Sequence, residues 1–331
     1  MNPEISVLIP AYNAENTILA AVWSALNQDF DAFEVLVYDD GSTDKTHELL
    51  DGVEDKRLHL IGGQSNQGIV HARNALLQQS KALYIAWLDA DDIMLPGRLR
   101  TQFDCLQNRP EIDLVGGWAE LRTGGLKDVL MPGFSLVKTS VNPDYLAASL
   151  CFRNPFIHSS IMARHFFVKE LFWFDPNFEY TEDYDLFLRC RSAGKRFGVV
   201  PKTVVSYRLS TTSVQAEKEN RYHAREKWEL LLCRTFPHTP PQKAGDVVSF
   251  LRNNNAISGV TFGFLDDWLE QSKLVVCKNP KKPTTAEKAV LLYQKFRLRR
   301  LRHGWVFATF WLATNNPAVV FCMLSNRKRV L

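Results

Sequence analysis

The sequence predicts an α/β fold: a mostly parallel central sheet with helices on both faces, followed by a helical C-terminal extension. Three observations predict it. Apolar runs alternate with stretches of helical spacing between residues 5 and 115. The runs are apolar almost throughout, as strands covered on both faces must be. Acidic residues stand directly after two of the runs, and ligands of such sheets bind beyond the carboxyl ends of the strands.

The elements follow in order. Ile5-Ser-Val-Leu-Ile-Pro10 is the first strand. Residues 14–28 carry Ile18, Leu19, Val22 and Leu26 at helical spacing, with Asn13 in place to cap them. Glu34-Val-Leu-Val-Tyr38 is the second strand, and a helix runs from Ser42 or Thr43 through Leu50. Leu58-His-Leu-Ile61 is a strand, 69–79 a helix, and Ala82-Leu-Tyr-Ile-Ala-Trp-Leu88 a strand. Pro96 sits where a helix to Leu106 would begin. Leu114 and Val115 open a further strand. Residues 120–210 are less regular and are punctuated by Pro155, Pro176 and Pro201. One helix there spans Thr181 to Ala193, with Gly194 following it. Helical patterns resume from 215 and again over 242–277. Lys278-Asn-Pro-Lys-Lys-Pro283 reads as a linker.

A chain of 331 residues, 46% apolar and 23% charged, is an ordinary globular composition, which excludes a disordered or collagen-like chain. The six cysteines contain no C-x-x-C pair, which excludes zinc ribbons and thioredoxin-like motifs. They read as small buried residues of a reducing compartment. No secretory signal is visible at the N-terminus, so the expected location is cytoplasmic. Residues 278–331 hold twelve Lys/Arg against one acid, Glu287, in a chain of net charge +4, so residues 1–277 carry −7. An acidic body of this kind is a poor nucleic-acid surface, and none is expected to bind.

Three acidic clusters stand out: Asp39-Asp40-Gly41-Ser42-Thr43-Asp44, Asp89-Ala90-Asp91-Asp92, and Glu182-Asp183-Tyr184-Asp185. Carboxylates brought together raise one another's pKa unless a cation compensates. Asp-x-Asp at the end of a buried strand therefore points to a hard divalent ion, Mn²⁺ or Mg²⁺. Turn and helix-cap preferences also place Asp at such positions. The dinucleotide fingerprint, the P-loop and the G-x-S-x-G elbow are all absent.

Five stretches together resemble the family 2 glycosyltransferases, which have the GT-A fold. They are Ile5–Asn13, Glu34–Asp44, Asn66-Gln-Gly68 with Ala72-Arg-Asn74, Leu88–Asp92, and Thr181–Leu186, in that order. The resemblance covers residues 4 to about 210. It implies an inverting transferase that uses a nucleotide-sugar donor, a UDP-sugar being favoured. Pro10, Ala11 and Tyr12 would line the base and ribose, and Glu15 would hold that loop or the ribose. Asp40 or Asp39 would accept from a uracil-like N–H. Arg73 would reach the base or the diphosphate. Asp89 and Ala90 would lie at the donor, Asp89 on the ribose or a metal-bound water, and Asp91 would bind the metal. Asp183 matches the catalytic base, with Glu182 the alternative and Asp185 able to reach the acceptor. His158 is an open position: metal, diphosphate, acceptor, or a structural hydrogen bond. The Q-x-x-R-W motif of processive members is absent, which implies transfer of one sugar per encounter.

The resemblance divides the chain into a catalytic domain, 1–212, with a nucleotide-binding half to about 118 and an acceptor half from about 119. A helical extension, 213–277, and a basic, aromatic tail, 278–331, follow. The uncharged stretch 304–324 is broken by Asn315-Asn-Pro317, so an interfacial anchor on an anionic membrane is favoured over a span. The expected acceptor is a cell-envelope glycan such as lipopolysaccharide or capsule, lipid-linked or free, with the protein peripheral on the inner face of the cytoplasmic membrane. A transferase for protein or soluble glycosides, or a non-catalytic sugar-nucleotide-binding protein, are the alternatives.

Overall fold

The computed structural model describes residues 3–122, 136–165, 173–209, 226–251 and most of 262–295. The chain divides into two compact units, one of residues 1–141 and 156–216, the other of 142–155 and 217–331. The expectation for the tail stretch 304–324 falls outside the described residues.

The first unit is built on one sheet. Its strands are β1 (Ile5–Ala11), β2 (Phe33–Asp39), β3 (Leu58–Gly62), β4 (Tyr84–Trp87), β5 (Ile93–Met94), β6 (Leu114–Arg122), β7 (Leu136–Val137), β8 (Met162–Arg164) and β9 (Phe197–Arg208). Their order is β3-β2-β1-β4-β8-β6-β9-β5, with β7 paired to β6. The sheet is mixed. β1 pairs in parallel with β2 and β4, and β2 with β3. β8 runs antiparallel to both β4 and β6, and β6 is parallel to β9. So β1–β4, β6 and β9 all point the same way, and their carboxyl ends share one edge. The chain leaves β1 toward β2 and β3, then returns to the other side of β1 for β4. That reversal makes the β1/β4 boundary the switch point where such sheets bind ligands.

Helices α1 (Ile18–Leu26), α2 (Thr46–Asp51) and α4 (Arg98–Asn108) pack Val22, Leu50 and Leu99 into one core with Val7, Ile9, Val35 and Val37. Side chains of successive strand residues face opposite ways, so the buried Leu8 and Leu36 lie on the other face, where α3 (Ile69–Gln79) covers β1 and β2.

The structure shifts three predicted helix starts. Asn13 does not cap α1. Its backbone is left-handed (φ 47°) and its side-chain oxygen accepts from the Thr43 N–H at 2.9 Å. Residues 42–44 are held to the first loop in this way, so α2 begins only at Thr46. The helix after Pro96 begins at Arg98, behind a left-handed Gly97. Pro201 does not end a strand. The β6/β9 register passes from Gly117↔Val200 to Trp118↔Thr203, so Pro201 and Lys202 form a bulge where the missing N–H costs no ladder bond.

The second unit is helical in its described part. Residues 226–235 and the helices Pro143–Ser149, Pro241–Leu251, Phe262–Gln271 and Lys273–Val276 gather a separate core around Phe236, Phe250, Leu265 and Trp268. No described helix is long and apolar enough to cross a membrane.

Candidate active site

All three acidic clusters lie in the first unit. Two stand at the shared carboxyl edge of the sheet, after β2 and β4. The third heads the helix Glu182–Ser192, whose N-terminus favours negative charge.

The loop after β1 is tied to the loop after β2. The Asp40 N–H donates to the Ala11 carbonyl, the Asn13 N–H to Ser42 Oγ, and the Lys45 N–H to Glu15 Oε2. Glu15 thus holds a loop. Ala11 is buried, while the Tyr12 ring is 47% exposed and open to stacking. Asp39 accepts from the Ser42 N–H and pairs with His47 Nδ1 at 3.1 Å. Asp40 accepts from the Gln67 and Gly68 N–H groups at the head of α3. Gly41, the next residue, is left-handed (φ +72°), and a Cβ there would stand 2.7 Å from the Ser65 backbone. Gly41→Ala is therefore expected to cost about 2–4 kcal/mol in chemical unfolding, from backbone strain plus overlap. An unchanged unfolding midpoint would contradict that close approach.

Arg73 is the hub. Its side chain is 7% exposed, and its Nη1 donates to Glu182 Oε1 and its Nη2 to Asp89 Oδ1 at 3.2 Å. One guanidinium thus joins the Asp89–Asp91 turn to the head of the helix Glu182–Ser192. Burial raises the Asp89 carboxyl, but Arg73, His158 and a Ser159 hydrogen bond outweigh it and the group ends below its usual range. At Asp183 the Arg73 charge lowers the carboxyl but does not prevail. Burial, then the Glu182 charge, push it up to about 6, while its Oδ1 accepts from the Tyr184 N–H at 2.6 Å. Asp185 is buried and pairs with Arg189 Nε at 2.8 Å, one turn along the same helix.

Asp91 is raised by burial and by Asp89, and its carbonyl accepts from Arg122 Nη2 at 3.2 Å. Ala90 is half-buried against the main core. Asp92 is fully buried. Its Oδ1 accepts from the Arg208 N–H at 2.8 Å, and burial, then Asp89, lift it to about 7. Arg98, fully buried behind the turn, donates to the Trp87 and Ile161 carbonyls.

His158 packs against the rings of Trp87 (5.1 Å) and Phe174 (5.8 Å), which also touch each other (5.4 Å). Burial and the neighbouring Arg73 lower it to about 3, so it is neutral, and neither ring nitrogen has a hydrogen-bond partner among the described residues. No three His, Cys, Asp or Glu side chains among the described residues form a ready metal cage. Asp89 and Asp91 offer the smaller set that Mg²⁺ usually takes from a protein, one or two carboxylates, the rest coming from phosphates and water.

Sequence reasoning missed Tyr207, Arg122 and Arg208. Burial raises the Tyr207 phenol, and the charges of Asp89, Asp92, Asp91 and Asp183 add to the shift. The missing signal was β9 itself: a strand interrupted by Pro201 is not legible as one strand in the sequence, so its carboxyl end is not legible either.

The chain matches Glycosyl transferase family 2 over residues 6–172. An uncharacterized glycosyltransferase of Haemophilus influenzae is 32% identical over 235 residues, which span 68% of this chain and 90% of that protein. A UDP-Glc:alpha-D-GlcNAc-diphosphoundecaprenol beta-1,3-glucosyltransferase of Escherichia coli, WfgD, is 27% identical over 69% of this chain and 85% of its own. The crystal structure of Staphylococcus aureus TarS residues 1–349 in complex with UDP superposes with a TM-score of 0.56 at 18% identity, over 93% of this chain and 89% of that one. That likeness is one of fold, the GT-A fold. The chain belongs to glycosyl transferase family 2 and is a glycosyltransferase.

Proposed function

We propose that this protein moves a single sugar, with inversion, from a nucleotide-sugar, a UDP-sugar being favoured, to a hydroxyl of a cell-envelope polysaccharide or its lipid-linked precursor. The observation that carries the reading is the Arg73 bridge, which fixes the Asp89–Asp91 turn beside the Glu182–Asp183 helix head. Donor side and base side are thereby held together. The acceptor class is supported by the Escherichia coli relative, whose named acceptor is a lipid-linked sugar.

In this reading Pro10, Ala11 and Tyr12 line the nucleoside, and Asp40, with Asp39 behind it, faces its base. Asp183 takes the proton of the acceptor hydroxyl as that oxygen attacks the anomeric carbon and the nucleoside diphosphate departs. Glu182, bound to Arg73, is the weaker base. Mn²⁺ or Mg²⁺ held by Asp91, with Asp89 and the neutral His158 beside it, would neutralise the departing diphosphate. A lipid-linked acceptor would bring the reaction to the inner face of the cytoplasmic membrane, where the basic tail would meet anionic lipid.

Donor hydrolysis tests the reading without an acceptor. Purified protein is incubated with UDP-, GDP- and dTDP-sugars, with and without Mn²⁺, and free nucleoside diphosphate is measured. Metal-dependent release from one donor, lost in Asp91→Ala, is the expected result. No release together with no calorimetric binding of UDP would sink the uridine-donor assignment.

A further inference from the structure

The helix Glu182–Ser192 is entered through a tight turn. The Thr181 N–H donates to the Phe178 carbonyl at 2.8 Å, which closes residues 178–181. Glu179, second in the turn, has φ −46° and ψ 138°, and Tyr180, third, has φ 69°. These are the angles of a type II turn, whose third position needs a left-handed backbone and prefers glycine or asparagine. This chain puts a tyrosine there. A bulky residue at positive φ is a genuine outlier, because its Cβ crowds the backbone. The turn is held on both sides. Phe178 is buried, and its carbonyl also accepts from Thr181 Oγ1 at 3.1 Å. Glu179 packs on the head of α3, where its Oε1 would stand 3.4 Å from a Cβ on Gly68.

The core does not account for the tyrosine, since Tyr180 is 50% exposed. A half-exposed aromatic residue is ordinary by itself. One kept in a strained backbone next to reacting groups is not, because such strain persists where a function depends on it. Glu182 and Asp183 follow two and three residues on. Burial, then the Glu179 and Glu182 charges, raise the Tyr180 phenol, in keeping with that neighbourhood. A tyrosine ring offers an apolar face and a polar tip. A pyranose matches it, with C–H bonds on one face and hydroxyls at the rim.

We propose that the Tyr180 ring is a stacking platform for the acceptor sugar, taking the C–H face of a pyranose so that a hydroxyl of that sugar reaches Asp183. This rests on the transferase reading above and adds the acceptor's chemistry: a six-membered sugar ring with an open C–H face at the site of transfer.

The test is saturation-transfer NMR on the full chain with UDP present. The probes are methyl pyranosides of glucose, galactose, N-acetylglucosamine and rhamnose. Wild type is expected to give a glycoside signal strongest on the ring protons of one face. Tyr180→Gly is expected to lower that signal about fivefold or more, and Tyr180→Phe, which keeps the ring, to hold it within about twofold. The UDP signal should persist in both variants. Tyr180→Gly should unfold at or above the wild-type temperature, since glycine adopts this φ freely. A lower unfolding temperature would make Tyr180 a structural residue and overturn the proposal. So would a glycoside signal that survives Tyr180→Gly, one that Tyr180→Phe loses as fully, or glycoside and UDP signals that fall together. A wild type that gives a UDP signal and no glycoside signal overturns the platform alone. A wild type that gives no UDP signal faults the nucleotide-sugar reading, and the platform goes with it.

Discussion

Asp183→Asn is expected to slow sugar transfer by about 10²–10⁴-fold, the usual contribution of a positioned general base, while UDP affinity stays near wild type. Asparagine keeps the shape and the Tyr184 N–H bond but cannot take the proton. The same residue sets the pH dependence. Burial and then Glu182 raise its carboxyl to about 6, so it is protonated and idle below that pH. The transfer rate of wild type should therefore rise with pH through a midpoint near 6 and level off above it. The sign for stability is the opposite. A carboxyl raised in the folded state binds its proton more tightly there than in the unfolded chain, so this group favours folding at low pH. That benefit fades as pH rises from the ordinary carboxylate range toward 6. Transfer assays of Asp183→Asn and Glu182→Gln across pH 5–8 decide the assignment. A larger loss in Glu182→Gln, or a surviving limb in Asp183→Asn, would move the base to Glu182.

Arg73→Met is expected to destabilise the first unit by about 3–5 kcal/mol, because it strands the buried Glu182 carboxylate, and the partly exposed Asp89 beside it, without their cation. Glu182 Oε2 already lacks a partner among the described residues, so that side chain has no second cation to fall back on. Urea unfolding measures the loss. Adding Glu182→Gln to Arg73→Met should recover part of it, since one of the stranded charges is then gone. A mild effect, under about 1 kcal/mol, is what an exposed ion pair would give and would show that water reaches the cluster freely.

What could be read from the sequence was local. The helix 69–79 matches α3 residue for residue, because its apolar spacing alone decides it. The strands β1, β2 and β3 lie within a residue or so of expectation, since each is a run of apolar residues bounded by turn residues. The acids at Asp39–Asp40 and Asp89–Asp92 were legible from their place after such runs. Gly194, read as the residue ending the helix from Thr181, is indeed left-handed (φ +77°) behind a C-cap at Ala193. What failed was whatever depends on a distant partner. β8 is three residues long and becomes a strand only by pairing with β4 and β6. Asn13 is spent on Thr43 rather than on its own helix. Arg73 pairs with a residue 109 positions away, which no spacing rule can find. Arg122 and Arg208 come level only through the β6/β9 register.

The boundary between the two units crosses the chain three times, because residues 142–155 belong with 217–331. This has a consequence for synthesis. Phe152 is buried and stacks on Phe236, with Trp268 edge-on at 6.3 Å. Those partners leave the ribosome some eighty to more than a hundred residues after Phe152 does. Until then Ala148, Cys151 and Phe152 form an apolar patch with nothing to cover it, in the middle of a nascent first unit whose own sheet is not complete until β9 emerges. Domains emerging from the ribosome usually fold as they appear, but here one short segment has to wait. Cutting the chain at residue 216 would make that wait permanent and leave the apolar segment without the partners that bury it.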